Sequence, residues 1–402
     1  MQPIRFFTRH KSRDVLFVEA ECTRVDPDEK TVTVEAAAVT PGVNCVEKIK
    51  YDYLVVAVGA ETATLGTPGV KEHAFFLKEA EDSRKIRTKL IDCLESATFP
   101  NQSPQEIDRL LHMVVVGGGP TGVEYAAELH DFLHDDIQKW YPHLANRFKI
   151  TLVGHAAHLL SGFSPDLIAY SEQTFCTNKV TFMSKTAVKE VRADAVIVQH
   201  DNPDTVDFAK DSGDKRVEVL PAGLVVWAAG NGVRPVVSDL IARLPKDLQT
   251  AKNGLVVDDC LIVKGTKDGS IYALGDCTKT RWAPTAQVAS KQGVYLAKQF
   301  TQLHEIEQER AKYKLAHGGS DAGFVQTRAV TPFVYNHQGS LAYVGGDKAV
   351  ADLPAGIKLR GEATYYFWRS AYLSELFLLR NRVMVGFDWV KCKLFGRDIS
   401  RE

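Results

Sequence analysis

Long apolar runs are missing from this chain. No uncharged apolar stretch reaches the about eighteen residues that a membrane-spanning helix needs, so none is expected. An excess of either charge is missing too. Lys and Arg number 49, Asp and Glu 50, and the formal net charge is −1. No global basic field points to nucleic acid. Paired cysteines are the third absence. Cys22, Cys45, Cys93, Cys176, Cys260, Cys277 and Cys392 are scattered, and no two form C-x-x-C. That argues against a disulfide framework, a zinc ribbon and a redox-active cysteine pair, suits a reducing compartment, and leaves no metal site to expect. The start is basic (Arg5, Arg9, Lys11, Arg13) and mimics a transit peptide, but it is not expected to be one, and it lacks an apolar secretory core.

What is present is length and glycine in a particular place. The 402 residues are enough for two or three domains. Met113 to Gly122 reads Met-Val-Val-Val-Gly-Gly-Gly-Pro-Thr-Gly. The valines predict a buried strand. Gly117, Gly119 and Gly122 stand in G-x-G-x-x-G spacing, and Val123 to Leu133 carries helix formers. Strand, glycine turn and helix form the dinucleotide-binding context. One glycine serves the tight turn, one the approach of a pyrophosphate and one the helix–strand packing. Pro120 and Thr121 open the helix, whose free N–H groups would take the phosphates. Glu124 stands in the first turn of that helix, where the dipole favours an acid.

Short β-like runs at residues 15–20, 31–36 and 46–51 predict a small meander. Residues 53–58 predict a buried, parallel strand ending at Gly59, which is either a core strand with its turn or a place of cofactor approach. Residues 78–97 read as helix. Residues 150–153 form the second strand of the βαβ unit and end in Gly154-His155, where an NAD site commonly carries an acid for the ribose 2′-hydroxyl. Without that carboxylate, repulsion against a 2′-phosphate is absent; no arginine stands there to bind one. Residues 180–199 predict a second meander, 201–216 an exposed loop, and 224–227 a third buried strand running into Ala228-Ala229-Gly230. Residues 255–258 and 261–263 return to strand. Residues 271–276 predict a strand ending in Gly275-Asp276; the acid can accept from a sugar or ribityl hydroxyl, or cap the next helix. Residues 285–300 read as helix, 304–321 as a polar linker, and 333–344 as a hairpin. The tail, residues 364–395, mixes aromatics and aliphatics with Arg and Lys and predicts two amphipathic helices broken near Gly386. These suit a membrane interface or a packed helix pair.

On these motifs the chain resembles the type II NADH dehydrogenases, single-chain NADH:quinone oxidoreductases that carry FAD and pump no protons. The resemblance rests on Tyr51-Asp52-Tyr53-Leu54-Val55 with Gly59, Val116 to Glu124, Trp227-Ala228-Ala229-Gly230 and Ala273-Leu274-Gly275-Asp276. Pro284-Thr285-Ala286-Gln287-Val288-Ala289 and the ending Phe387-Asp388-Trp389 through Asp398 look most like the mitochondrial branch. It implies an α/β fold of tandem Rossmann-like domains, with the NAD domain inserted into the FAD domain and C-terminal membrane-interface helices. The expected division is 1–104 for a partial FAD domain, 105–235 for the NAD(P) domain, 236–330 for the returning FAD part, and 331–402 for a hairpin and anchoring helices. The implied cofactors are FAD and NADH or NADPH, and the partner is a membrane quinone. The implied place is the mitochondrial inner membrane, peripherally, with a homodimer open. Cofactor contacts are expected at Gly59, Gly117, Gly119, Pro120, Thr121, Gly122, Glu124, Gly154, Gly230, Gly275, Asp276, Ala286 and Gln287, and catalytic roles at Glu124, Gln287 and Lys291.

Two departures stand out. Complete members begin with their own G-x-G-x-x-G for the FAD pyrophosphate, and no such motif precedes Gly117 here, so the chain is expected to enter in the middle of the FAD domain. Members often carry glutamine four residues after Gln287, where this chain has Lys291, followed by Gln292. The rival expectations are a flavin-less NAD(P)-binding paralogue or fragment, and another pyridine-nucleotide flavoprotein reductase.

Overall fold

The computed structural model describes residues 4–8, 15–36, 46–201, 217–318, 320, 324, 331–376 and 378–399. The chain forms two compact units, Met1–Glu61 with Asn231–Asn336 and Thr62–Gly230 with His337–Glu402.

The second unit is built on a five-stranded parallel sheet. Its order is Phe75–Phe76, Leu224–Trp227, His112–Val116, Lys149–Val153, Val180–Met183. His112–Val116 is buried throughout, as a strand covered on both faces must be. Its side chains alternate between two cores. Met113 and Val115 join Leu224, Val226, Ile150 and Leu152 beneath the helices. Val114 and Val116 join Val153, Val225 and Trp227 on the other side, against Val191, Val196, Val198 and Leu220. The latter residues belong to an antiparallel meander, Thr186–Val191, Ala195–His200 and Val217–Pro221. The helix Ala80–Ala97 lies within this unit and starts with a capping box between Glu79 and Asp82. A C-terminal antiparallel sheet, Ser340–Tyr343, Ala349–Leu353 and Ile357–Gly361, completes the unit with helices Glu362–Glu375 and Leu379–Phe395.

The first unit pairs Leu54–Val56 with Ile271–Ala273 in parallel, and Leu255–Val256 with Thr278–Lys279. Its core gathers Val56, Ala273, Val237, Leu240, Val288, Leu296 and Phe333. The meander there is Glu21–Asp26, Thr31–Glu35 and Val46–Lys50.

Several expected elements shift. The first meander strand is residues 21–26 rather than 15–20, because the turn after Asp26 leads directly into Thr31; Leu16 is left 84% exposed. Residues 180–183 belong to the parallel sheet, not the meander. The helix Ala286–Ala316 runs through most of the expected linker, since residues 304–316 hold good helix formers and no glycine or proline before Gly318. The C-terminal hairpin pairs residues 340–343 with 349–353, so residues 333–335 lie outside it. The first tail helix ends at Glu375 and the second begins at Leu379, and Gly386 stays inside the second. The loop expected at 201–216 lies outside the described residues beyond Asp201.

Candidate functional site

In the second unit the site is the turn after His112–Val116. Gly117 has φ +128°, and its N–H donates to Val153 O at 2.8 Å. A Cβ on Gly117 would stand 2.7 Å from Ala228 O, and one on Gly122 only 1.9 Å from Gly117 O. Both positions therefore exclude a side chain on backbone grounds. Gly119 is the opposite case: no atom of the described residues lies within 4 Å of a Cβ there. It is the N-cap of helix Pro120–Asp131, makes no side-chain cap, and is exposed together with Pro120 and Thr121. Uncapped N–H groups at an exposed helix start fit an anionic pyrophosphate. Trp227 braces the neighbouring strand end, its indole N–H shared between Ala63 O and Ala229 O at 2.9 Å each. Gly230 follows with φ +77° and accepts from Ala63 N–H at 3.3 Å. Gly154 is held between strands, donating to Met183 O at 3.0 Å and accepting from Thr186 N–H at 3.0 Å. His155 beside it is exposed, with Asp201 Oδ2 3.9 Å from its Nδ1. A carboxylate thus reaches this rim from the end of another strand, which sequence spacing did not show.

The glycine-turn helix and the helical segment Phe132–Ile137 that continues it carry acids at 124, 128, 131 and 136, and each meets the C-terminal segment. Glu124 Oε1 accepts from Tyr343 N–H at 3.2 Å and from the Trp368 indole at 3.1 Å. Burial pushes its carboxyl up to about 7 against these two donors. Asp131 accepts from the Tyr343 hydroxyl and from Gly346 N–H. Asp136 Oδ2 accepts from Arg397 Nη1 at 3.0 Å, and Glu128 from Arg397 Nη2 at 3.2 Å. Arg382 in turn donates to Leu376 O and Ser374 O, at the carboxyl end of helix Glu362–Glu375, where a cation suits the dipole. The partners of Glu124 come from more than two hundred residues downstream, so sequence reasoning could not supply them.

In the first unit the parallel strands Leu54–Val56 and Ile271–Ala273 run into Gly59 and Gly275, with φ +67° and +73°. Among the described residues, nothing lies within 4 Å of a Cβ on Gly59. Asp276 lies in the short helical turn Gly275–Cys277. The following helix begins at Ala286, with Thr285 as its N-cap accepting from Val288 N–H at 3.3 Å. Its first turns present Ala286 exposed, Gln287 half-buried and Lys291 exposed. Gln287 Oε1 accepts from the Tyr335 hydroxyl at 3.0 Å. Gln292, 1% exposed, accepts from Gly275 N–H at 2.8 Å through Oε1, while its buried Nε2 has no partner among the described residues. An open glycine turn, an acid at a strand end and an orphaned buried amide fit the ribityl and ring portion of a flavin nucleotide. Among the described residues of this unit, no G-x-G-x-x-G turn is present for its pyrophosphate. The expected residues therefore gather into two groups: Gly117, Gly119, Pro120, Thr121, Gly122, Glu124, Gly154 and Gly230 in the second unit, and Gly59, Gly275, Asp276, Ala286, Gln287 and Lys291 in the first. Gln292 and Tyr335 carry polar contacts that the sequence reading did not assign.

Glycine turns at the ends of parallel strands in both units suit a pyridine-nucleotide flavoprotein, and the family model described as pyridine nucleotide-disulphide oxidoreductase matches residues 8–293. A second model, the NDH2 C-terminal domain, matches residues 337–398. The chain belongs to the type II NADH dehydrogenases. It is 45% identical over 417 residues to a probable mitochondrial NADH-ubiquinone oxidoreductase of Schizosaccharomyces pombe, covering all of this chain and 73% of that protein. It is 43% identical to the external alternative NADH-ubiquinone oxidoreductase, mitochondrial, of Yarrowia lipolytica, covering all of this chain and 72% of that one. The solved NDH2 of Plasmodium falciparum in complex with NADH superposes with a TM-score of 0.80 at 26% identity, over 95% of this chain and 85% of that chain. The family makes this chain a flavoprotein oxidoreductase that uses FAD and NADH.

Proposed function

We propose that this protein takes electrons from NADH and delivers them to ubiquinone through FAD, without pumping protons. The observation that carries the reading is the open, uncapped helix start at Gly119, framed by two glycines whose Cβ positions are blocked by backbone. FAD, when bound, would supply two-electron redox chemistry between nicotinamide and quinone. The chain's own residues bind and orient. Gly117, Gly119, Pro120, Thr121, Gly122, Gly154 and Gly230 shape the nicotinamide nucleotide site of the second unit. Gly59, Gly275, Asp276 and Ala286 shape the flavin site of the first, with Asp276 accepting from ribityl hydroxyls. Gln287 donates to a quinone carbonyl, and Lys291, four residues on along the same helix face, adds positive charge at that mouth. Glu124 couples the nicotinamide helix to the C-terminal segment and is the proton-holding group nearest the glycine turn in sequence.

The C-terminal helices are proposed as a peripheral contact with the mitochondrial inner membrane. Leu379, Val383, Phe387, Val390 and Leu394 recur at helical spacing and are each more than half exposed. Arg380, Arg382, Lys391 and Lys393 are interspersed with them, as in an interfacial helix. No helix among the described residues is long and apolar enough to cross a membrane. A second copy of the chain packed on this stripe is the competing occupant. Cosedimentation with anionic vesicles, lost in a Phe387→Lys variant at unchanged subunit stoichiometry, supports the membrane; dissociation of a dimer by that variant supports the second copy.

The functional test is steady-state NADH oxidation with a short-chain ubiquinone. Turnover that needs both FAD and quinone is expected. A colourless protein that gains thermal stability with NADH but reduces nothing would make it a nucleotide-binding protein instead.

A further inference from the structure

We propose that Tyr335 is a positioning residue for quinone reduction, holding the Gln287 amide with its NH2 group outward as a fixed donor. The inference rests on the reading that Gln287 meets the quinone.

The segment Thr331–Tyr335 is an extended strap along the helix that begins at Ala286. Its side chains alternate: Phe333 and Tyr335 are 5% and 8% exposed, while Val334 between them is 68% exposed. The strap is fixed along its length. Thr331 O accepts from the Tyr295 hydroxyl at 2.7 Å, Phe333 N–H donates to Asp259 O at 2.7 Å, and the Phe333 ring meets Tyr295 edge-on at 5.5 Å. The Tyr335 ring meets Trp282 edge-on at 5.7 Å. With the ring so placed, the hydroxyl arrives at Gln287 Oε1, 3.0 Å away.

The chemistry of the pair follows from the donor inventory. A primary amide has an acceptor oxygen and a donor NH2, and either end can face a ligand. A quinone carbonyl is only an acceptor. In the observed pair the phenol donates to Oε1, which leaves Nε2 with its N–H groups for the ligand; the opposite amide rotamer, with Nε2 donating to the phenol oxygen, presents an acceptor that a quinone carbonyl cannot use. A ligand meeting Gln287 therefore finds a donor already oriented, and no amide rotation has to be fixed on binding. Without the phenol, the carboxamide is free to present its oxygen, which repels the quinone carbonyl.

The test is a double-mutant cycle on the FAD-loaded protein, Tyr335→Phe with Gln287→Ala. Phenylalanine keeps the ring against Trp282 and removes only the hydroxyl. The expected result is a KM for short-chain ubiquinone raised about three- to tenfold in Tyr335→Phe, the range of one net hydrogen bond. The KM for NADH and turnover with ferricyanide, which needs no quinone pocket, stay unchanged. Tyr335→Phe then adds nothing in the Gln287→Ala background. If Gln287→Ala itself leaves the quinone KM unchanged, the quinone site has been misplaced and both readings fall. If Gln287→Ala raises it while Tyr335→Phe does not, or if the two effects simply add, the site stands and the positioning role is wrong. Should Tyr335→Phe lower thermal stability, the ratio of quinone to ferricyanide turnover still decides; an equal fall in both overturns the proposal.

Discussion

Gly119→Ala and Gly122→Ala differ by three positions and should fail in different ways. At Gly122 the new methyl carbon would stand 1.9 Å from Gly117 O, a backbone atom with no rotamer to relieve the contact. The strand end or the helix must move. Overpacking of this kind costs about 1–3 kcal/mol or more. At about 2–4 °C per kcal/mol for a unit of this size, the melting temperature should fall by several degrees. At Gly119 the backbone sits at φ −80° and ψ 178°, which alanine adopts readily, and the methyl meets nothing within 4 Å. Exchanging an N-cap glycine for alanine costs at most about 1 kcal/mol. The empty space is where a pyrophosphate would approach the helix N–H groups. Gly119→Ala should therefore fold and melt nearly as the parent does, yet bind NADH at least about tenfold more weakly, or about 1.4 kcal/mol. Calorimetry of NADH binding beside thermal denaturation separates the two. Unchanged NADH affinity in Gly119→Ala would refute the reasoning, because the space would then not be where the phosphates lie.

Glu124 binds its proton more tightly in the fold than at its ordinary 4.5, up to about 7, through burial. Its contribution to stability is full below pH 4.5 and is lost as pH rises through 7, up to about 3 kcal/mol in all. Glu124→Gln should remove that dependence and melt higher than the parent at pH 8. His112 runs the other way. It is 4% exposed, its ring nitrogens meet Pro221 O at 2.6 Å and Thr151 Oγ1 at 2.8 Å, and burial lowers it to about 4. Stability that is present above pH 6.5 is lost as pH falls toward 4, again by up to about 3 kcal/mol; a His112→Gln variant should show a flatter acid limb in denaturant titrations. Arg397→Ala leaves the 5% exposed Asp136 without its cation. Hydrogen exchange in helix Leu379–Phe395 should rise, while amides of His112–Val116 keep their protection.

The parts of the fold that could be read from sequence were those set by local pattern. A three-valine strand, three spaced glycines and an alanine-rich helix carry their own geometry, and the turn at Gly117 follows from it. The same holds for the strand ending at Gly275-Asp276. What sequence could not show were pairings across long separations. The meander strand at residues 217–221 follows a polar segment that hides its partner, and residues 180–183 join the parallel sheet only because the next strand is already placed. The helix through residues 304–316 was hidden by its polarity, since an exposed helix need not be amphipathic enough to look like one. Glu124, Asp131 and Asp136 are plain in the sequence as acids after the glycine turn. Their purpose of anchoring the C-terminal segment required Tyr343, Trp368 and Arg397 to be brought back to them. In the sequence Gln292 is only the neighbour of Lys291, whereas burial makes it the better-placed amide beside Gly275.

The central claim is that nicotinamide and flavin exchange electrons on this chain and that a quinone collects them. The direct measurement is an anaerobic titration of the FAD-loaded protein. Stoichiometric NADH should bleach the flavin absorbance, and a short-chain ubiquinone added afterwards should restore it. Flavin that stays oxidised under saturating NADH, or that bleaches but is not restored by the quinone, would contradict the account.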